Sequence, residues 1–222
     1  MSSSLIQILV LAGIAIFLVL RLKSVLGTRD GFEKPPLPMP GAAKPEDDVR
    51  PDFAVIDGGP DPDIIDNVPD GSDAAVALSA MKRVEPDFSV TDFLTGARGA
   101  YEMILMAFEN GDLTDVEPFL TGEVRDSFND VIDMRAREGL SIQASFVGVR
   151  EIKLVDARYD AETSDAEMTV RFVAELTSVV RNAAGEIVEG DPNEIKRQRD
   201  VWTFARLMGA DDPNWLLVAT GE

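Results

Sequence analysis

The residues of this chain with chemistry to offer are few. They are three cations close together (Lys196, Arg197 and Arg199), a set of large rings in the C-terminal half, and scattered aspartates. Neither Cys nor His occurs anywhere. That excludes disulfides, a thiol nucleophile, a Cys/His zinc site and any His-based triad or general base. Catalysis would have to rest on carboxylates, Lys, Tyr or hydroxyls, and no arrangement of these marks a catalytic site, so a non-enzyme is expected. Asp61, Asp63 and Asp66, like Asp211 and Asp212, lack the twelve-residue loop and bidentate Glu of a calcium site and read as solvated acids. Gly58-Gly59 has no strand–helix context for a phosphate or dinucleotide loop. No metal and no cofactor are expected.

Two constellations remain as candidates. Alternation along a strand puts Lys196 on the opposite face from Arg197 and Arg199, so the three cannot all meet one ligand. A lipid or acidic-partner contact is one reading of them, and a solvated charged strand is the other. Tyr101, Ile104, Phe108, Phe128, Phe172, Trp202 and Phe204 fall on elements that should face one another. They make either an ordinary core or the lining of an apolar pocket, and spacing alone leaves both open. The formal net charge of −19 removes nucleic acid as a partner, because such binding needs a basic surface that releases counterions.

The elements that must position these residues form three segments. Residues 1–26 read as a transmembrane anchor, with Leu5, Ile8, Leu11, Ile14, Phe17 and Leu20 in an apolar run that ends at Arg21 and Lys23. As a helix the run rises about 28 Å, close to one hydrocarbon core. Positive charge follows the run rather than preceding it, and no small-residue cleavage pattern is present, which favours an uncleaved anchor over a signal peptide. The positive-inside rule then keeps the rest of the chain in the cytoplasm. Residues 27–71 are rich in Pro, Gly and acid, and read as a disordered, self-repelling linker with a reach of roughly 40 Å.

Residues 72–222 carry the folded domain. Ser72 to Val84 predicts a short helix contacting the core through Val76, Leu78 and Met81. Ser89-Val90-Thr91-Asp92 is a capping box opening a helix to about Asn110, stopped by Gly111, with one apolar face at Phe93, Ala97, Tyr101, Ile104 and Phe108. Gly96, Ala97, Gly99 and Ala100 make its first half small, which suggests close approach of another element. A turn around Phe119 follows, and Thr121 is expected to cap a third helix to about Glu138, with Val124, Phe128, Val131, Ile132 and Met134 on its face. The period then changes to two. Strands are predicted over Ile142–Tyr159 (bulged near Gly148), Ala166–Val180, Ile195–Met208 and Trp215–Thr220, with Asn182–Asn193 a hairpin connection. Helices followed by four meandering strands predict an α+β domain, helices packed on a curved four-stranded antiparallel sheet.

Several runs carry a family resemblance. Phe93-Leu94-Thr95-Gly96-Ala97 with Tyr101-Glu102-Met103-Ile104 and Gly111-Asp112 is one. Phe146-Val147-Gly148-Val149, Val170-Arg171-Phe172-Val173, Trp202-Thr203-Phe204-Ala205-Arg206 and Asp212-Pro213-Asn214-Trp215 through Thr220 are the others. Together they resemble the C-terminal domain of subunit 44 of the mitochondrial inner-membrane translocase, and most of all its bacterial, TimA-type members. The resemblance implies a cone-like fold similar to nuclear transport factor two, with a large apolar cavity. It also implies a role at an inner membrane. The expected function is a non-enzymatic, single-pass adaptor of the bacterial inner membrane with its domain in the cytoplasm. It would tether or organise inner-membrane proteins or recruit a DnaK-type chaperone, in protein transport or membrane-protein handling. The alternative is a module that binds a lipid or an apolar small ligand in the cavity.

Overall fold

Short polar side chains set where the helices begin. The computed structural model describes residues 60–221. The proposed anchor and most of the 27–71 segment therefore lie outside the described residues. Among the described residues no helix is long and apolar enough to cross a membrane. Helix α1 spans Pro62–Ile65, α2 Asp73–Val84, α3 Val90–Asn110 and α4 Gly122–Arg137, with a 3-10 turn at Glu117–Phe119. The Ser72 hydroxyl accepts the Ala75 N–H at 3.1 Å and the Ser89 hydroxyl accepts that of Asp92 at 3.2 Å, satisfying donors that a helix start leaves orphaned. Helix α3 stops at Gly111, whose φ of 74° suits a residue without Cβ.

Thr121 departs from the cap expected of it. It stands at the start of α4 without a side-chain cap. Its N–H and its hydroxyl both donate to the Leu217 carbonyl, at 3.0 and 3.1 Å, which ties α4 to the edge of the last strand. Two predicted apolar contacts also point outward. Val76 is 60% and Met134 49% exposed, and α2 instead buries Ala74, Ala75, Ala77, Leu78 and Met81.

The strands are β1 Ser141–Tyr159, β2 Asp165–Arg181, β3 Ile187–Gly190, β4 Lys196–Leu207 and β5 Leu216–Gly221. All pairings are antiparallel, in the order β1-β2-β4-β5. The sheet has five strands rather than four, because the hairpin connection contains β3. Strand β2 outruns β4: its residues Asp165–Leu176 pair with β4 and Val179–Arg181 pair with β3. Gly190 makes the second pairing possible, since a Cβ there would collide with the Ser178 carbonyl. Strand β1 shifts register against β2 three times, at Phe146/Gly148, Val149/Glu151 and Leu154/Asp156. Each shift adds twist and bend, which curls the sheet round its helices.

One core lies between the sheet and the helices. Met168, Val170, Phe172 and Ala174 of β2, Trp202 and Phe204 of β4 and Leu217 of β5 meet Phe93, Ala97, Tyr101 and Ile104 of α3. Leu78 and Met81 of α2 join the same core, with Leu154 and Ala157 of β1.

The folded unit starts ahead of the boundary read at residue 72. Ile64 and Val68 are buried, and α1 is fastened by Asp63. That carboxylate accepts the Val90 and Thr91 N–H groups at 2.8 and 3.0 Å and the Thr91 hydroxyl at 2.7 Å, so it caps α3 from a distant part of the chain. Lys82 bridges Asp61 and Asp63 at 2.7 Å each. The Pro, Gly and acid content of the stretch signals disorder, and the exception is a pair of apolar residues around a capping acid. Burial alone would raise the Asp63 carboxyl, but Lys82, Thr91 and the two N–H groups outweigh it and hold the group well below the usual carboxylate range. Asp63→Ala is expected to cost about 1–2 kcal/mol, as a lost cap does. The depressed folded-state value means that the stabilisation is complete above pH about 4 and disappears as pH falls below it. Chemical denaturation of wild type and variant at pH 7 and pH 3 reads this as a gap between the two that narrows in acid.

Candidate functional site: an apolar cavity at one end of helix α3

The first half of α3 carries small residues, and the structure leaves space over them. A Cβ built at Gly96 or Gly99 meets no atom within 4 Å. The expected close approach of another element is therefore absent. Gly96, Ala97 and Ala100 instead line a cavity of about 760 Å³. Phe93 and Phe204 line it beside them, Phe88, Phe119 and Trp215 form further walls, and Asp87, Ser89, Asp92 and Asn214 add polar groups. The Phe93 and Trp215 rings meet edge-on at 4.8 Å, and Phe88 lies 6.0 Å from Trp215. Such a space, mostly apolar with a few polar groups, suits an apolar ligand.

A charge pair holds the wall in place. The side chain of Arg206 is 9% exposed and pairs with Glu85 at the end of α2. Glu85 also accepts the Gly209 N–H at 2.6 Å, and Arg206 donates to the Pro213 carbonyl at 3.4 Å. Its guanidinium lies 5.2 Å from the centre of the Trp215 ring, close enough for a cation–π attraction. These contacts join the α2–α3 corner to the turn between β4 and β5. The Nε of Arg206 is buried and has no hydrogen-bond partner. Glu85 did not stand out in the sequence, and Arg206 entered only as the end of the Trp202–Arg206 run that carries the resemblance, with no role assigned to it. The available signal for Arg206 was period: positions 202, 204 and 206 share the inward face of β4.

The seven residues read as candidate pocket separate in space. Phe204 lines the cavity. Tyr101, Ile104, Phe172 and Trp202 lie in the closed core. Phe108, in the last turn of α3, meets Phe128 of α4 at 4.7 Å, and both are half-buried. Tyr101 stacks on Phe172 at 4.3 Å, with Trp202 4.6 Å away, and its hydroxyl donates to Asp200 at 2.5 Å. Burial, the hydrogen bond and the Asp200 charge all push the phenol far above its ordinary value.

The candidate basic residues begin β4. Arg197 meets Glu175 at 3.2 Å, and Arg150 meets the same carboxylate at 2.6 Å. Arg199 has no ion-pair partner among the described residues. Lys196 lies on the helix side, where it and Arg135 act on Glu109. Burial raises the Glu109 carboxyl, and the two cations oppose that rise. Among the described residues no cluster of three acids could hold a metal.

Residues 74–222 match the Tim44-like domain. The chain belongs to that family. It is 25% identical over 130 residues to the mitochondrial import inner membrane translocase subunit TIM44 of Homo sapiens, and 24% over 130 residues to that of Rattus norvegicus. Each match covers 58% of this chain and 28% of the relative, so the chain spans under a third of these relatives' length. Among solved structures, the intermembrane space region of the chloroplast protein ARC6 superposes with a TM-score of 0.32 at 10% identity. That match covers 65% of this chain and 94% of that one, and at this score it adds nothing to the fold described above.

Tyr101 supplies a direct check on the Tim44-like core. The chain has two tyrosines, so Tyr159→Phe leaves Tyr101 alone. In that variant, tyrosinate absorbance is expected to stay absent as pH rises until the fold is lost, and then to appear together with the loss of tertiary circular dichroism. The raised folded-state value means that the stability contributed by Tyr101 is complete below pH about 10 and declines above it. A smooth ionisation in the native state would show the ring to be accessible.

Proposed function

We propose that this chain is a non-enzymatic adaptor that organises a partner protein at a membrane, in a process related to protein translocation. The observation that carries the reading is the Tim44-like match over residues 74–222. Its relatives are named as subunits of a mitochondrial inner-membrane translocase. In this reading, residues 4–22 span the bacterial inner membrane and residues from 27 onward lie in the cytoplasm, as in TimA-type members. The partner is an inner-membrane protein or a DnaK-type chaperone. The absence of Cys and His supports a binding role over a catalytic one. The test is affinity capture from detergent-solubilised membranes, comparing the full chain with a version that lacks residues 72–222. At least one partner should depend on the domain, and identical captures from the two would sink the adaptor reading.

The cavity favours a second role, binding of a lipid tail or another apolar ligand. Gly96→Leu tests it without damage to the fold. The new side chain meets nothing at its Cβ and projects beside the cavity. Replacing a mid-helix glycine with a good helix former should also raise stability by about 0.5–1 kcal/mol. Native mass spectrometry should then show a ligand copurifying with the wild type and depleted in a variant that melts higher. A wild-type domain that is empty from every preparation removes this role.

A further inference from the structure

Strand β5 covers only part of its neighbour. It pairs with β4 from Val201 to Ala205, whereas β4 begins at Lys196. On its other side β4 is paired with β2 throughout, in one unbroken register from Lys196↔Leu176 to Leu207↔Asp165. Among the described residues, no strand therefore meets the backbone groups of Lys196–Asp200 that face away from β2. An open edge of this kind is a template for another strand, and natural sheets usually blunt it. The opposite edge of this sheet is blunted. Strand β1 is broken by three register shifts, and Arg98 donates to the Val149 carbonyl at 2.9 Å. The β4 stretch has no proline and no bulge.

What the open stretch does carry is positive charge. Arg197 and Arg199 point to the face away from the helices, and Lys196 to the other. Glu175 takes up Arg197 and Arg150 together, so one carboxylate answers two guanidiniums, and Arg199 adjoins them with no counterion among the described residues. In a chain of net charge −19 this is a local reversal of sign. It selects against basic segments and favours acidic ones. A strand laid beside β4 would set alternate side chains next to Arg197 and Arg199. Ile195, 56% exposed, offers an apolar contact where the stretch begins.

We propose that the edge of β4 at Lys196–Asp200 is a strand-addition site for an extended acidic segment of a partner protein. Main-chain hydrogen bonds to the open edge would supply affinity, and the alternating cations would supply selection for acid. The site lies on β4 upstream of the cavity-lining Phe204 and Arg206.

The probe is a fluorescein-labelled peptide of about ten residues alternating Glu and Thr, with a Lys–Thr counterpart, titrated into the full chain by fluorescence anisotropy. The acidic peptide should bind at least about tenfold more tightly than the basic one, and added salt should weaken it. Hydrogen exchange should slow at the amides of residues 196–200 and not across the rest of the sheet. Arg199→Glu should weaken binding about tenfold while Arg199→Lys retains most of it, as expected for one charge contact. Arg199 is exposed and has no ion pair among the described residues, so neither change threatens the fold, and far-UV circular dichroism checks this. Binding without slowed exchange at 196–200 would overturn strand addition. So would equal affinity for the two peptides, or no binding of the acidic one. Binding to phosphatidylglycerol-containing vesicles that is lost in Arg199→Glu, with no peptide binding, would reassign the cations to a lipid surface and reject the proposal.

Discussion

The stack of Tyr101 on Phe172, with Trp202 beside it, is the contact on which the arrangement of this domain depends. Tyr101 sits mid-way along α3, Phe172 mid-way along β2, and Trp202 on β4 opposite Val170. Three elements distant in sequence thus share one ring cluster, in which each aromatic pair contributes about 0.5–1.5 kcal/mol beyond simple burial. A phenylalanine at 101 would fill the same space. The hydroxyl adds direction, because a buried donor must find an acceptor, and the acceptor here is Asp200 on the inward face of β4. Gln198 also donates to Asp200, at 3.2 Å. The start of β4 is therefore held by the helix through this acid, and it keeps an unbroken register with β2 where no β5 supports it.

The same helix explains why the cavity lies where it does. Helix α3 is asymmetric: bulky at Tyr101, Ile104 and Leu105, and small at Gly96, Ala97, Gly99 and Ala100. The bulky half sets the distance between helix and sheet, since helix and sheet are rigid over this length. The small half then cannot fill the gap that the bulky half imposes. Glu85 and Arg206 join the α2–α3 corner to the β4–β5 turn beside this gap. Breaking one partner of a largely buried pair leaves the other desolvated and uncompensated, so the two sides of the cavity keep this contact.

Much of this was legible in the sequence where the signal is local. Ser72, Ser89 and Gly111 mark helix ends through groups within four residues of them. The alternation from Met168 to Leu176 is preserved residue by residue as burial. What escaped reading depends on distant partners. Asp63 looked like one of several solvated acids in a linker, and only the folded chain brings the α3 N-terminus to it. Thr121 has the right type to cap a helix, yet the Leu217 carbonyl competes for its hydroxyl. Strand β3 is four exposed residues next to turn formers, with no apolar alternation to announce it. The ring residues were recognised as a group, but period two and period 3.6 say only which side of an element is covered. They cannot separate a ring that closes on a neighbour, as Tyr101 does, from one that borders an opening, as Phe204 does.

The distribution of charge bears on how such a domain can hold more than one thing. A chain at −19 repels acidic partners at long range, so any acidic contact must be made where the local sign reverses. The sheet face away from the helices provides this, because the alternation that sends Phe172, Trp202 and Phe204 inward sends Arg171, Arg197 and Arg199 outward. Arg171 is answered by Glu151 at 2.7 Å, and Arg197 shares Glu175 with Arg150. Arg199 has no ion-pair partner among the described residues. The cavity, by contrast, opens among Glu85, Asp87 and Asp92, with only Arg206 as a positive group, and that cation is already bound to Glu85. One site is therefore apolar and edged with acid, and the other is an open backbone edged with base. The ring cluster between them touches both, because Trp202 lies 6.3 Å from the cavity-lining Phe204 and Tyr101 donates to Asp200 on the open stretch. The two sites therefore share one packed network, and residues that share a network do not act independently.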